Sequence, residues 1–221
     1  MKNYLLLVFF LIFYLNSFSQ RLQYYPAHNW DKVPVAFHFG NKEALSEDEI
    51  KFIISKSNLI VLEKGHGGND FKFTEEGSEN DAKRLKHAHP EMKVIYYWNT
   101  FLDYSMYKAH KTYESHPEWW LKKKNGELDY KINGLKRYDL SNRKVRKWWV
   151  SEAKKNVVEG SHDGIFLDAL IQVKSSSNIK LWGQDKYDSI QNGLKNLIKE
   201  TRETIGEDKL IFYNGIRSSP G

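Results

Sequence analysis

Five short apolar runs punctuate a polar chain, at residues 35–39, 59–62, 94–98, 164–167 and 210–213. Each has the length of a strand and is rich in β-branched or aromatic residues. Several are apolar throughout rather than alternating, as strands buried on both faces of a parallel sheet are. Helix-period segments separate them. Ser46 and Glu49 are spaced as a capping box, followed by an apolar stripe at Ile50, Ile53 and Ile54. A second helix is predicted from Asn80 to His89, stopped by Pro90. A third is predicted over 143–158, with Asn142 as its cap and Gly160 as its end. A fourth runs over 187–205, with Ile190, Leu194, Leu197, Ile198 and Ile205 on one face.

Alternating strands and helices predict an α/β fold with a parallel sheet. One excursion breaks the rhythm between the third and fourth strands. It carries Pro117-Glu118-Trp119-Trp120, the Lys122-Lys123-Lys124 triplet and an Asn125-Gly126 pair flanked by Leu121 and Leu128, which predicts a small hairpin. A doubly wound open sheet and a (β/α)8 barrel both fit this order. No Gly-x-Gly-x-x-Gly or phosphate-binding Gly-x-x-x-x-Gly-Lys loop follows a strand, which argues against a nucleotide-binding sheet. Polar residues do follow nearly every strand, as at the C-terminal mouth of a barrel. Five strands are three short of a closed barrel, a deficit of roughly 80–110 residues. The expectation is therefore a TIM barrel that is incomplete, with the last residues 217–221 following directly on a strand.

The first residues read differently. Met1-Lys2-Asn3 precedes an apolar stretch from Tyr4 to Leu15, then small residues up to Ser19. This is the layout of a secretory signal peptide cleaved after Ser19, and the apolar run is too short for a comfortable membrane span. The chain thus divides into a leader, 1–19, and a barrel domain, 20–221. The expected location is secreted or periplasmic, without stable membrane insertion after cleavage.

Composition narrows the chemistry. The 221 residues include 34 basic and 28 acidic side chains and no cysteine, which excludes disulfides, thiol nucleophiles and cysteine-ligated metals. The 40% apolar content supports a packed core, and the net charge of +6 is too small and too scattered for a nucleic-acid stripe. His87 and His89 do not share a helix face, and neither a His-Glu-x-x-His motif nor a Gly-x-Ser-x-Gly elbow is present. No metal or cofactor is expected.

The sharpest chemical signal is Asp163-Gly164-Ile165-Phe166-Leu167-Asp168, an apolar strand that ends in a carboxylate. A charge is costly to bury, so Asp168 should face a polar mouth, where such aspartates act in glycosidases. Glu63 ends the second apolar run in the same way and is the candidate second catalytic carboxylate, with Asp103 as an alternative. His38, His66, Asn99, Asp103, Asn214 and the aromatic Trp98 are candidate substrate-binding residues. Asp163 and Gly164 read as a turn, and Trp119 and Trp120 as a rim to the cleft. Trp148 and Trp149 lie mid-helix and read as core.

His116-Pro117-Glu118-Trp119-Trp120, Asn125-Gly126, Tyr138-Asp139-Leu140-Ser141-Asn142, Val145-Arg146, Trp148-Trp149 and the block from Asp163 to Asp168 together resemble bacterial TIM-barrel glycoside hydrolases. In organisation they are similar to the endo-α-1,4-polygalactosaminidase-like and α-galactosidase-like barrels. The resemblance implies that Asp168 ends the fourth barrel strand as a catalytic carboxylate, and that Asp139 and Asn142 shape the entry to the preceding helix. In α-galactosidase-like barrels the partner acid follows the sixth strand, beyond the five visible here. The expected activity is hydrolysis of O-glycosidic bonds of a poly- or oligosaccharide by an exported enzyme. A non-catalytic carbohydrate-binding barrel is the alternative, and an exported metal-dependent deacetylase or phosphoesterase is a third.

Overall fold

The computed structural model describes Asp31, residues 33–131 and residues 134–214. The predicted leader lies outside the described residues. Strands β1 (Phe37–Phe39), β2 (Leu59–Leu62), β3 (Lys93–Asn99), β4 (Gly164–Asp168) and β5 (Leu210–Tyr213) form one sheet in the order β1-β2-β3-β4-β5. Every neighbouring pair is parallel. Among the described residues the sheet is not closed, and β1 and β5 are its two edges.

Helices α1 (Glu47–Lys56), α2 (Thr74–Ala88), α4 (Arg143–Val157) and α7 (Gln184–Ile205) are the crossovers. The capping box at α1 forms as predicted, with Ser46 Oγ accepting the Glu49 N–H and Glu49 accepting the Ser46 N–H. Asn142 caps α4 by accepting the Lys144 N–H at 2.9 Å. Short helices α3 (His110–Glu114), α5 (Leu170–Lys174) and α6 (Asn178–Trp182) add to the sequence reading.

Helix α2 begins at Thr74, six residues before the predicted start. Gly77 and Ser78 look like breakers in the sequence, yet both lie inside the helix. The cause is tertiary: a Cβ on Gly77 would sit 2.5 Å from His66 O and 2.8 Å from Gly67 Cα. The helix keeps a glycine so that the loop after β2 can cross it. A second correction concerns Asp163 and Gly164, which make no turn. Gly164 is the first residue of β4, and a Cβ there would lie 2.3 Å from Leu210 O. Asp163 ties strands and helix together, accepting the Val94 N–H at 3.0 Å and pairing with Lys86 at 2.9 Å.

Alternate strand residues point to opposite faces, and this parity separates packing from chemistry. Tyr96, Trp98, Ile165 and Leu167 face the helices, where Trp98 meets Trp148 and Trp149 of α4. Trp149 also donates its indole N–H to Asn99 O at 2.9 Å. Tyr97, Asn99, Phe166 and Asp168 take the other face, the one that lines the interior of a barrel. There the rings of Tyr97 and Phe166 stack at 6.0 Å, and His38 of β1 reaches Phe166 of β4 at 4.7 Å. A contact across the two intervening strands requires a strongly curved sheet.

The excursion between β3 and α4 folds back on itself through isolated antiparallel bridges, Leu102 with Arg137, Trp120 with Tyr138, Lys122 with Leu128 and Tyr130 with Lys136. The Asn125-Gly126 turn forms, with Gly126 at φ +86°. The excursion is anchored by Asp129, which is buried and accepts from Trp182 Nε1 at 2.7 Å and Arg137 at 2.8 Å.

Candidate functional site

The C-terminal ends of the strands bring one set of polar side chains together around Asp168. Its Oδ2 accepts the Tyr97 hydroxyl in a short hydrogen bond and the Asn99 Nδ2 at 3.2 Å. Its Oδ1 accepts the Ala169 N–H at 2.7 Å and the Asn214 Nδ2 at 2.5 Å. Ala169 turns its N–H back to the carboxylate by adopting φ +71°, the left-handed region that alanine rarely occupies, and it is the one non-glycine residue to do so among those described. Such strain costs on the order of 1–3 kcal/mol and persists where the surroundings impose it.

These contacts set the charge of the carboxyl. Burial opposes ionisation of Asp168, but the hydrogen bonds from Tyr97, Asn214 and Ala169, together with the charge of Lys64, outweigh it and hold the group below its ordinary value. Tyr97 moves the opposite way, raised by burial and then by its bond to Asp168, so it serves only as a donor. Tyr104 is raised by burial and by the charges of Asp168 and Glu63.

Glu63, at the end of β2, has both oxygens engaged. Oε1 lies 3.0 Å from His38 Nε2 and Oε2 lies 2.7 Å from Lys64 Nζ. This arrangement suits a carboxylate that orients two neighbours better than an acid that gives a proton away. His38, Glu63, Lys64 and Asn214 remain partly exposed at the mouth.

The other sequence candidates fall elsewhere. His66 is fully buried: its Nδ1 accepts the Asn41 N–H at 3.2 Å and its Nε2 donates to Asp81 at 2.9 Å. Asp81 in turn holds the Leu45 N–H and Arg84, so His66 is a packing residue, not a sugar ligand. Trp98 is 2% exposed on the helix side and offers no face to a substrate. Asn99 belongs to the site but is 1% exposed, and its Oδ1 accepts the N–H groups of Phe101 and Leu102, so it orients Asp168. Trp119 is buried against Trp148 rather than at a rim.

Asp103 sits in the excursion, 4% exposed, with Oδ2 accepting from His110 Nδ1 at 2.6 Å. Burial pushes its carboxyl up to about 6, with His110 counteracting. Asp103, His110 and Glu114 place ligand atoms within 4.8 Å of one another, the one such group that could hold a metal among the described residues. Lys136 already pairs with Glu114 there, while resting 4.0 Å over the Trp120 ring. That ammonium supplies the positive charge the acidic pair calls for.

Sequence reasoning missed Tyr97, Lys64 and Tyr104. Tyr97 was within reach, because Asn99 at the mouth places Tyr97 on the same face two residues earlier. Lys64 had no signal beyond its place next to Glu63.

Comparison with curated protein sequences found no match. Among solved structures 148 chains match. The glycoside hydrolase domain of PelA from Pseudomonas aeruginosa has a TM-score of 0.56 and 13% identity, over 81% of this chain and 59% of that one. The α-galactosidase of Thermus thermophilus has a TM-score of 0.56 and 14% identity, over 85% of this chain and 39% of that one. A GH31 dextranase from Flavobacterium johnsoniae, solved with isomaltotriose, has a TM-score of 0.56 and 12% identity, over 82% and 25%. This chain therefore spans less than two thirds of the length of each. At such identities the likeness is one of fold, that of glycoside hydrolase barrels, here with five strands and an open sheet. A sequence model described as hypothetical glycosyl hydrolase family 15 matches residues 86–220, well over half the chain, and the chain belongs to that family.

Proposed function

We propose that the chain carries the catalytic carboxylate of an exported glycoside hydrolase, and that this carboxylate is Asp168. The observation that carries the reading is the set of four donors converging on one half-buried carboxylate at the C-terminal end of β4. Such a group is fixed in direction and kept ionised, as a nucleophile or an oxocarbenium-stabilising anion must be. The glycosidic C–O bond breaks, positive charge builds at the anomeric carbon, and Asp168 either bonds to that carbon, giving a glycosyl-enzyme ester that water then hydrolyses, or takes the proton of a water that bonds to the carbon from the opposite face. The leaving oxygen takes its proton from a carboxylic acid that we assign to none of the described residues. If the enzyme retains configuration, that acid sits about 5–5.5 Å from Asp168, and if it inverts, about 6.5–9.5 Å. His38 and Asn214 face the sugar from the mouth, and Glu63 orients His38 and Lys64. The basic, apolar start of the chain supports export. No helix of the described residues is long and apolar enough to cross a membrane.

The test is reducing-end release from a panel of neutral, amino and acidic polysaccharides, using wild-type protein and Asp168→Asn. Release by the wild type alone supports hydrolysis at Asp168. Binding without release by either protein supports a carbohydrate-binding module instead, and release by both removes Asp168 from the chemistry.

A further inference from the structure

We propose that Lys64 is a positioning residue of the Asp168 centre, a fixed counter-charge that holds Asp168 as a carboxylate and aims Tyr97 at it. The proposal rests on the reading of Asp168 as the reacting carboxylate, and Lys64 itself does not touch the substrate. A lysine at a barrel mouth is ordinarily mobile, since its four-carbon stem keeps its rotamer freedom in water. This one is held from three sides. Its Nζ lies 2.7 Å from Glu63 Oε2, 4.8 Å from the centroid of the Tyr97 ring and 5.8 Å from that of Tyr104. Its backbone is held as well. Gly65, at φ +80°, donates its N–H to Thr74 Oγ1 at 3.0 Å, and Lys64 O packs so close to Gly40 that a Cβ there would lie 2.9 Å away.

The geometry gives this cation two routes to Asp168. One is direct, through the field of an ammonium whose side chain is 31% exposed and so only partly screened. The other runs through Tyr97. A cation over the ring face draws density from the phenol and makes its hydroxyl a stronger donor, and that hydroxyl ends on Asp168. Glu63 offsets part of the charge of Lys64, so the ammonium steadies Asp168 while adding less positive field to the transition state. The groups that act on Asp168 are Tyr97 and Asn99 from β3, the Ala169 N–H, Lys64 after β2 and Asn214 after β5; its charge reaches Tyr104 in the loop after β3, and Glu63 enters through its pair with Lys64. Among them Lys64 is the one cation, with His38 standing behind Glu63.

The experiment is a ¹³C NMR titration of the aspartate carboxyls of the whole chain, with Asp168 assigned by its loss in Asp168→Asn. Lys64→Met should move the Asp168 midpoint up by about half a unit to one unit. Lys64→Arg should leave it close to wild type, and about 0.5 M salt should narrow the gap between Lys64→Met and wild type. A Lys64→Met midpoint equal to that of wild type, in a protein whose near-ultraviolet dichroism is native, overturns the proposal. Should Lys64→Met fail to fold, Lys64→Gln is read the same way, because its amide still reaches a carboxylate. The titration involves no turnover, so it succeeds or fails whether or not any glycan is cleaved.

Discussion

Asn99 and Asp168 are register partners at the C-terminal ends of β3 and β4, and the amide of one donates to the carboxylate of the other at 3.2 Å. The pairing is a consequence of strand parity. Both side chains stand on the inner face, one residue past Trp98 and Leu167, which face the helices. The same parity places Tyr97 two residues back, where its hydroxyl completes the grip on Asp168.

Tyr97→Phe keeps the ring, its stack on Phe166 and the seat of Lys64, and removes one donor. It should lower stability at neutral pH by about 1 kcal/mol, and raise the Asp168 midpoint seen by carboxyl NMR. The sign follows from linkage. A carboxyl held below its unfolded value contributes stability above that value and loses it as pH falls. The variant should therefore lose less stability on acidification than wild type, and an identical acid dependence in urea unfolding contradicts this.

His162 gives a dependence of its own. It is fully buried, accepts from Ser78 Oγ at 2.8 Å and donates to Asn156 O at 2.9 Å, and burial lowers it from 6.5 to about 4. Between those values the unfolded chain takes up a proton that the native one refuses, so stability falls as pH drops from 6.5 towards 4. Asp103, raised to about 6, works the other way over the lower part of this window. Comparing wild type with His162→Gln isolates the histidine: the loss between pH 7 and 5 should be smaller in the variant, by about 1–3 kcal/mol.

Asp129→Ala should cost about 3–5 kcal/mol, because it strands the partly buried Arg137 guanidinium and the buried Trp182 indole N–H. The loss should be local first. Amide exchange and limited proteolysis should quicken between residues 120 and 140 before the sheet opens, and uniform loosening of the whole chain would contradict the anchoring role.

Gly193 lies on α7 where it crosses the loop before α4, and a Cβ there would sit 2.0 Å from Leu140 O. Gly193→Ala should lose about 1–3 kcal/mol despite the better helix propensity of alanine. A thermal midpoint equal to or above wild type would show that α7 can shift away at no cost.

Much of the fold was legible because most of the strands are uninterrupted apolar runs, and because Asn142 and the pair Ser46 and Glu49 mark helix starts by chemistry that acts within four residues. What stayed hidden is carried by contacts between distant segments. Nothing near Gly77 announces that Gly67 must cross it, so α2 read as starting late and the neighbouring His66 read as a substrate ligand. Trp98 and Tyr97 are adjacent aromatics in one apolar run, and which of them faces the mouth is a matter of parity that only the polar Asn99 at the strand's end displays. The place of Asp168 is different, because a charge ending such a run belongs at the end of the strand, where the sheet meets a polar mouth.

The strict strand order has a temporal meaning. Each strand pairs with the one made just before it, so every βα unit finds its partner already present as the chain emerges. No strand has to wait for a later one to be inserted between it and its neighbour. The longest loop closure is the one from β3 to β4, and most of it is bridged by the excursion's own antiparallel contacts. Loop-closure entropy is thus met in small instalments, which favours sequential growth from β1 over a single late collapse. Asp168 is assembled near the end of that sequence, after β3 has set Tyr97 and Asn99 in position to receive it.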